Sequence, residues 1–407
     1  MIKYVSGTIL ACLISLFCAK AQQNTYSPNS SFGLGEIVSS EYSRTAGMAG
    51  VGIGVRNGSF LNTSNPAAVS ALDSMSGVFD VGVYGKASNY KSNSYNDNAF
   101  TGNLRKIAFG FRANKVWSIS IGIRPFSNVG YRIASDVAVE GSNSTKTIYF
   151  EGEGGLYSLY AINAVKLGDK LSVGVITSMI AGTFTNIEDQ VSYSYKTTSR
   201  LTQIYNKLGA QYQLTNGSGD WVVGATYGYK QNIGVKRRFS IYSGTTEESS
   251  EELKTINQFL PENIGAGISW KKEKFLFAAD YEWEGWSGLS SNVDNVKIGD
   301  SHKIKAGVGY TPYRDLYTAH SAKQYQFGVA LNKSYIEMKN KAAWNYALTT
   351  GILFPLRAGQ TQKGILGIGL EYGSNLTAPS GFVKENYLML NVNFSFIETM
   401  FMRSKIF

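Results

Sequence analysis

From about residue 76 onward the chain is a series of segments in which apolar and polar residues alternate, separated by short turns rich in Gly, Asn, Ser and Asp. In Leu388-Met389-Leu390-Asn391-Val392-Asn393-Phe394-Ser395-Phe396 the even positions are apolar and most of the odd ones polar. Successive side chains of a strand point to opposite faces. One face of such a strand meets an oily phase and the other a polar one. Repeated this often, the pattern predicts an all-β chain, and specifically a transmembrane β-barrel.

The start of the chain fits that destination. Met1-Ile2-Lys3 is followed by an apolar run from Val5 to Phe17 and then by Ala19-Lys20-Ala21. A positive start, an apolar core and an A-x-A site read as an export signal, residues 1–21, cut after Ala21. Cys18 raises a lipoprotein alternative, which the bulky Phe17 before it disfavours. Cys12 and Cys18 are the only cysteines and both lie in the signal. The mature chain is therefore expected to carry no disulfide, thiolate or Cys-based metal chemistry. The two histidines, His302 and His320, stand apart among polar residues and read as strand-end or loop positions. No metal and no cofactor is expected. Beyond the signal no apolar stretch approaches the ~18 residues of a spanning helix. Mean hydropathy is −0.13, which suits a barrel because half of each strand faces a polar lumen.

The formal charge is +10, and losing Lys3 and Lys20 with the signal leaves +8. Basic residues occur only in short clusters such as Lys236-Arg237-Arg238. Without a dense basic run, nucleic acid is not the expected partner. Anionic headgroups and lipopolysaccharide phosphates of an outer membrane fit the charge better.

The periodicity gives fourteen segments, roughly 76–92, 100–114, 117–139, 146–168, 171–194, 200–216, 221–244, 252–273, 274–289, 300–315, 323–339, 341–356, 363–375 and 383–398. Most exceed the roughly 9–11 residues that a tilted strand needs to cross a bilayer. An even count allows closure without edges. Connections fall into two classes. Tight ones include Asn216-Gly217-Ser218-Gly219 and Leu167-Gly168-Asp169-Lys170, and longer polar ones include 135–147, 243–254 and 289–300. The long set follows odd-numbered strands, which places it outside the cell with the short turns in the periplasm. The connection at 311–322 departs from this rule. A soluble β-sandwich or propeller would not show two length classes. The organisation expected is a signal at 1–21, a plug segment at 22–75, a barrel at 76–398 and a tail at 399–407. Phe275, Phe277, Ala279, Tyr281 and Trp283 share one face, opposite Asp280, Glu282 and Glu284. These three carboxylates are candidate lumen-facing groups.

Two stretches break the alternation. Residues 22–75 contain the small, Gly-rich run from Ser43 to Val55, and then Asn65-Pro66-Ala67. Pro66 suits the first turn of a short helix capped by Asn65. The Gly-x-Gly spacings lack the preceding strand and following helix of a dinucleotide site. About fifty residues suffice to plug the lumen of a fourteen-stranded barrel. The second break is Arg124-Pro125-Phe126-Ser127-Asn128-Val129-Gly130 in the third segment. Proline cannot donate to a ladder, and Gly130 permits a bend.

These residues resemble the FadL-type outer-membrane transporters of hydrophobic compounds, in a Bacteroidota branch. Asn65-Pro66-Ala67 is similar to the family's hatch signature. Leu260-Pro261-Glu262-Asn263-Ile264-Gly265 with Asp280-Tyr281 and Trp286-Ser287 looks like the family's Pro, Gly, Asp-Tyr and Trp-Ser pattern on a central hairpin. Lys305-Ala306-Gly307-Val308-Gly309-Tyr310-Thr311-Pro312 is a third resemblance, and the last strands with Glu385-Asn386-Tyr387 resemble the Bacteroidota branch. The resemblance spans nearly the whole mature chain and rests on the order of short motifs. It implies a fourteen-stranded barrel with an N-terminal hatch inside it. It also implies a lateral opening at a kink in the third strand, for which Pro125, Phe126, Asn128 and Gly130 are the candidates; a simple bulge near a rim is the alternative.

Two functions follow from the resemblance. One is passive uptake of a hydrophobic small molecule or lipid, such as a long-chain fatty acid, by lateral diffusion through the wall. The other is a non-transporting barrel that binds other outer-membrane proteins as a shuttle or subunit of a secretion or assembly complex. No enzyme is expected, because neither histidine stands near a nucleophile motif.

Overall fold

The computed structural model describes residues 27–38, 44–74, 76–92, 96–138, 141, 143–190, 192–288, 296–312, 323–338, 341–358, 361–377 and 383–400. The expected signal, His320 and most of the expected tail lie outside these residues. Fourteen antiparallel strands form the wall. They are β1 (Ser76–Lys91), β2 (Asn96–Arg112), β3 (Trp117–Ala138), β4 (Thr145–Leu167), β5 (Leu171–Asp189), β6 (Ser194–Asn216), β7 (Gly219–Gly228 and Gln231–Ser243), β8 (Thr246–Leu260 and Glu262–Lys272), β9 (Phe275–Gly285), β10 (Val296–Ile298 and Ser301–Tyr310), β11 (Gln324–Met338), β12 (Lys341–Ala358), β13 (Thr361–Thr377) and β14 (Lys384–Thr399). Each pairs with its sequence neighbour, and β14 pairs with β1 from Lys384↔Lys91 to Thr399↔Ser76, which closes the barrel. Closure leaves no edge strand to seek a partner in lipid.

The alternation divides the two faces. On β9, Phe275, Phe277 and Tyr281 are exposed on the outside, while Asp280 and Glu282 are buried within. Across neighbouring strands the outer aromatics stack in sequence. Trp221 meets Trp270 at 5.4 Å between centroids, Trp270 meets Phe277 at 5.7 Å, Phe277 meets Phe275 at 5.9 Å and Phe275 meets Tyr310 at 5.1 Å. This belt lies beside the tight turns, where amphipathic rings of a barrel meet the membrane interface.

The polar connection expected over 243–254 is instead a hairpin. β7 runs to Ser243, β8 resumes at Thr246, and Gly244 turns between them at φ 58°. Glu252 lies opposite Arg238 in the register, and their side chains meet at 2.9 Å. Residues Thr246–Glu252 of the β8 arm are exposed on both faces, so no apolar alternation marks that arm as strand. Likewise β3 extends to Ala138 and β4 begins at Thr145.

Inside the wall lies a segment with three short 3-10 turns, Pro28–Ser31, Ala46–Met48 and Pro66–Ala71. Met48, Val51, Ile53, Leu61, Val69 and Leu72 in it are all nearly inaccessible. Their cover is the inner face of the barrel. Burying these side chains contributes on the order of 2 kcal/mol each. Seating is close enough that a side chain on some wall residues would collide with it. A Cβ built at Gly224 would strike the Ile53 carbonyl oxygen, and one at Gly351 would lie 2.9 Å from the Gly47 Cα. Glycine there permits the backbone contact.

Candidate functional site

Asn65 is the joint of the plug. Its Oδ1 accepts from Ala67 N at 3.1 Å and caps the turn that begins at Pro66. Its Nδ2 donates to Ile53 O at 3.0 Å within the plug, and to Ala210 O at 3.0 Å and Ala225 O at 3.4 Å on the wall. One buried amide thus ties two plug segments to β6 and β7. Pro66 and Ala67 lie directly against Gly174 of β5. The remaining seat is polar too. Asp280 accepts from Gly52 N at 2.6 Å and from Ile53 N at 2.9 Å. Ser269 Oγ donates to Gly54 O at 2.7 Å, and Lys106 Nζ to Leu61 O at 2.6 Å.

Of the three carboxylates singled out from the sequence, Asp280 therefore holds the plug. The other two form ion pairs, Glu282 with Lys305 at 3.0 Å and Glu284 with Lys303 at 2.7 Å. Both pairs face inward, but differently: the Glu282 and Lys305 side chains are 8% and 4% exposed, whereas Glu284 and Lys303 are partly exposed and line a cavity. Above the plug is a cavity of about 280 Å³ whose lining includes Tyr84, Lys86, Arg105, Glu371 and Glu385. Lys86 meets Glu385 at 2.7 Å, and the Arg105 guanidinium lies 4.0 Å from the centre of the Tyr84 ring.

The wall is irregular at β3. Its ladder with β2 runs only from Ile107↔Ile123 to Arg112↔Ser118. From Arg124 onward β3 has no pairing with β2, although β2 stays paired with β1 as far as Asn96. On its other side β3 keeps its ladder with β4 along its length, with one register shift between Pro125 and Ser127 that leaves Phe126 as the extra residue. The free edge is covered from within. Glu36 and Ile37 pair antiparallel with Asn128 and Ser127. Val38 N donates to Phe126 O at 3.0 Å, Ser27 N to Gly130 O at 2.7 Å, and Gly130 N to Ser30 Oγ at 3.0 Å. Across the interval, Asn103 Nδ2 of β2 reaches Asn128 Oδ1 at 3.4 Å. Gly130 has no positive φ, whereas Gly154, opposite Val129 on β4, has φ 109°.

Behind this edge is an apolar cluster of Leu34, Val129, Leu156, Ile180, Phe184, Leu201, Ile233, Val235 and Leu260, with Ile37, Phe126 and Tyr205 packed against it. Leu34 and Ile37 belong to the plug, so the plug fills the space next to the free edge. Tyr335 of β11 donates to Gly35 O at 3.0 Å, and Glu36 lies 3.7 Å from Lys86 of β1. None of Leu34, Glu36, Ile37, Lys86, Tyr205 or Tyr335 was singled out by sequence. The inward parity of Lys86 on β1 was a usable signal. The segment 27–38 carries no periodicity to mark it.

A closed fourteen-stranded barrel holding an N-terminal plug is the FadL-type architecture. Its overall fold is shared with several solved structures. The CymD monoaromatic hydrocarbon channel superimposes with a TM-score of 0.58 at 15% identity, covering 91% of this chain and 99% of that one. The Ralstonia pickettii toluene transporter TbuX gives 0.57 at 14%, covering 87% and 97%. A Pseudomonas aeruginosa FadL homologue gives 0.58 at 12%, covering 90% and 100%. No curated protein matches the chain. The model of the BamG family matches residues 1–407, and the chain belongs to that family.

Proposed function

We propose that this chain is an outer-membrane barrel that admits a hydrophobic small molecule or lipid and releases it sideways between β2 and β3. The observation that carries the reading is the end of the β2–β3 ladder at Ile123, with an apolar cluster directly behind the free edge of β3. Proline at position 125 explains why pairing fails there, since it offers no N–H and bends the strand. Pro125, Phe126, Asn128 and Gly130 then border the lateral opening. Segment 27–38 is the cover: it supplies the edge with hydrogen bonds in place of β2, and Leu34 and Ile37 occupy the apolar space a ligand needs. Passage requires that cover to move. The monoaromatic hydrocarbon channel CymD and the toluene transporter TbuX share the barrel and lend the reading its substrate class.

A second reading has its own support. The cavity above the plug is lined by charged and hydrogen-bonding groups, and the plug is fixed to the wall by buried polar contacts. A barrel that stays shut in this way suits a platform for other outer-membrane proteins. The test compares cells with and without the protein. Uptake predicts faster entry of labelled toluene or labelled long-chain fatty acid into the cells that have it. Equal rates, together with a second barrel that co-purifies in fixed stoichiometry, overturn uptake in favour of the platform.

A further inference from the structure

The wall has a second interruption on the opposite flank of the same apolar cluster. The β6–β7 ladder exists in two pieces. One runs from Ser194↔Tyr242 to Arg200↔Lys236, and the other from Lys207↔Gly228 to Asn216↔Gly219. Between them, Leu201–Asn206 have no pairing with β7, although all six stay paired with β5. The two pieces differ by one residue in register, so β7 separates from β6 between them. A local cause is visible one strand further on. Pro261 interrupts β8 beside Tyr229 and Lys230, where β7 itself is broken. Proline again removes a ladder donor.

The outer surface at this interruption is apolar and aromatic: Ile204 is 56% exposed and Tyr229 45% exposed. Just inside, Leu201 and Ile233 are 1% and 2% exposed and belong to the apolar cluster. Only a side-chain bond from Asn206 Nδ2 to Tyr229 Oη, 3.3 Å, bridges the interval among the described residues. It parallels the Asn103–Asn128 bridge at the β2–β3 interval. In hydrocarbon an unpaired backbone group costs several kcal/mol, so irregular backbone at that depth is retained where it lines a cavity or passage.

We propose that β6 and β7 frame a second side port, through which an apolar chain dissolved in the membrane reaches the cluster bounded by Leu201, Ile233 and Val129. The port deepens the uptake reading and rests on it for its physiological role, but not for its existence. A molecule of this class crosses the barrel from one flank to the other without entering the polar cavity.

The test uses single cysteines, because the chain's only cysteines lie in the segment read as the signal. L201C and I233C are placed in phospholipid vesicles containing pyrene maleimide. I162C is the reference: it is equally buried and its strand is paired on both sides, but it belongs to a separate cluster that the port does not reach. If the port exists, L201C and I233C label at least about tenfold faster than I162C, which reacts only through local opening. N206A, combined with I233C, removes the bridge and raises the rate further. Equal rates at all three cysteines, with no effect of N206A, overturn the port whatever the cells take up. Fast labelling in a protein whose cells show no uptake leaves the port standing and removes the uptake reading instead.

Discussion

Replacing Asn65 with alanine is expected to turn a closed barrel into a leaking one. The side chain is fully buried and makes four hydrogen bonds, one to a plug amide and three to carbonyls of the plug and wall. Loss of the cap costs about 1 kcal/mol. Ile53 O keeps a second donor, Gln211 Nε2 at 2.9 Å, so the further loss is that of the two bonds to the wall carbonyls, about 1 kcal/mol each. A total of about 3 kcal/mol shifts the balance between seated and released plug by roughly two orders of magnitude. The wall ladder does not involve this side chain, so the barrel persists while the plug loosens. Planar-bilayer recordings of N65A are predicted to show frequent conducting openings, and cells carrying it to admit large antibiotics. N65D keeps the capping oxygen and loses the donors, and falls between. Wild-type conductance from N65A would show that Asn65 does not hold the plug.

The second large effect concerns the buried pair Glu282–Lys305. Removing one partner leaves the other charged and buried, which costs about 3–5 kcal/mol. E282Q and K305M are each expected to lower the urea midpoint for unfolding, read as the shift between folded and unfolded bands on unheated gels. The double variant E282Q/K305M restores part of the loss, because neither partner is left charged against a neutral one, while Asp280 and Lys207 still lose the opposite charges of Lys305 and Glu282. The pair lies diagonally across adjacent strands of the wall: Lys305 is the direct cross-strand partner of Asp280, which holds Gly52 and Ile53, and Glu282 stands two residues along from Asp280. Release of the plug is therefore expected to accompany unfolding of the single variants. Single variants as stable as the parent would mean that water reaches this pair.

The barrel itself was legible because one physical rule writes it. A strand between oil and a polar lumen must alternate, and β9 and β14 do so almost residue by residue. Where both faces meet water, as at Thr246–Glu252, the rule has nothing to act on and the strand reads as loop. Proline at 125 marked the interrupted stretch of β3 because its chemistry is local. The residue that takes the unusual backbone, Gly154, sits on the neighbouring strand and follows from pairing rather than from sequence. The cover at Glu36–Ile37 is two residues long and pairs through its backbone, so its side chains announce nothing. Lys86 and Glu385 meet only because the last strand closes on the first, and that register joins residues nearly three hundred positions apart. The carboxylates of β9 looked like the lining of a wet lumen; the plug fills the space at Asp280 and Glu282 and makes them buried partners, while Glu284 still lines the polar cavity.

The central claim is that segment 27–38 covers an opening beside β3 and must leave for passage. Ile37 and Ser127 are direct cross-strand partners, and an antiparallel pair brings Cα atoms to about 4.5–5.5 Å, within reach of a disulfide. The I37C/S127C variant, oxidised, is predicted to abolish uptake of labelled toluene by intact cells, and reductant to restore it. The same uptake with the disulfide intact would contradict the account.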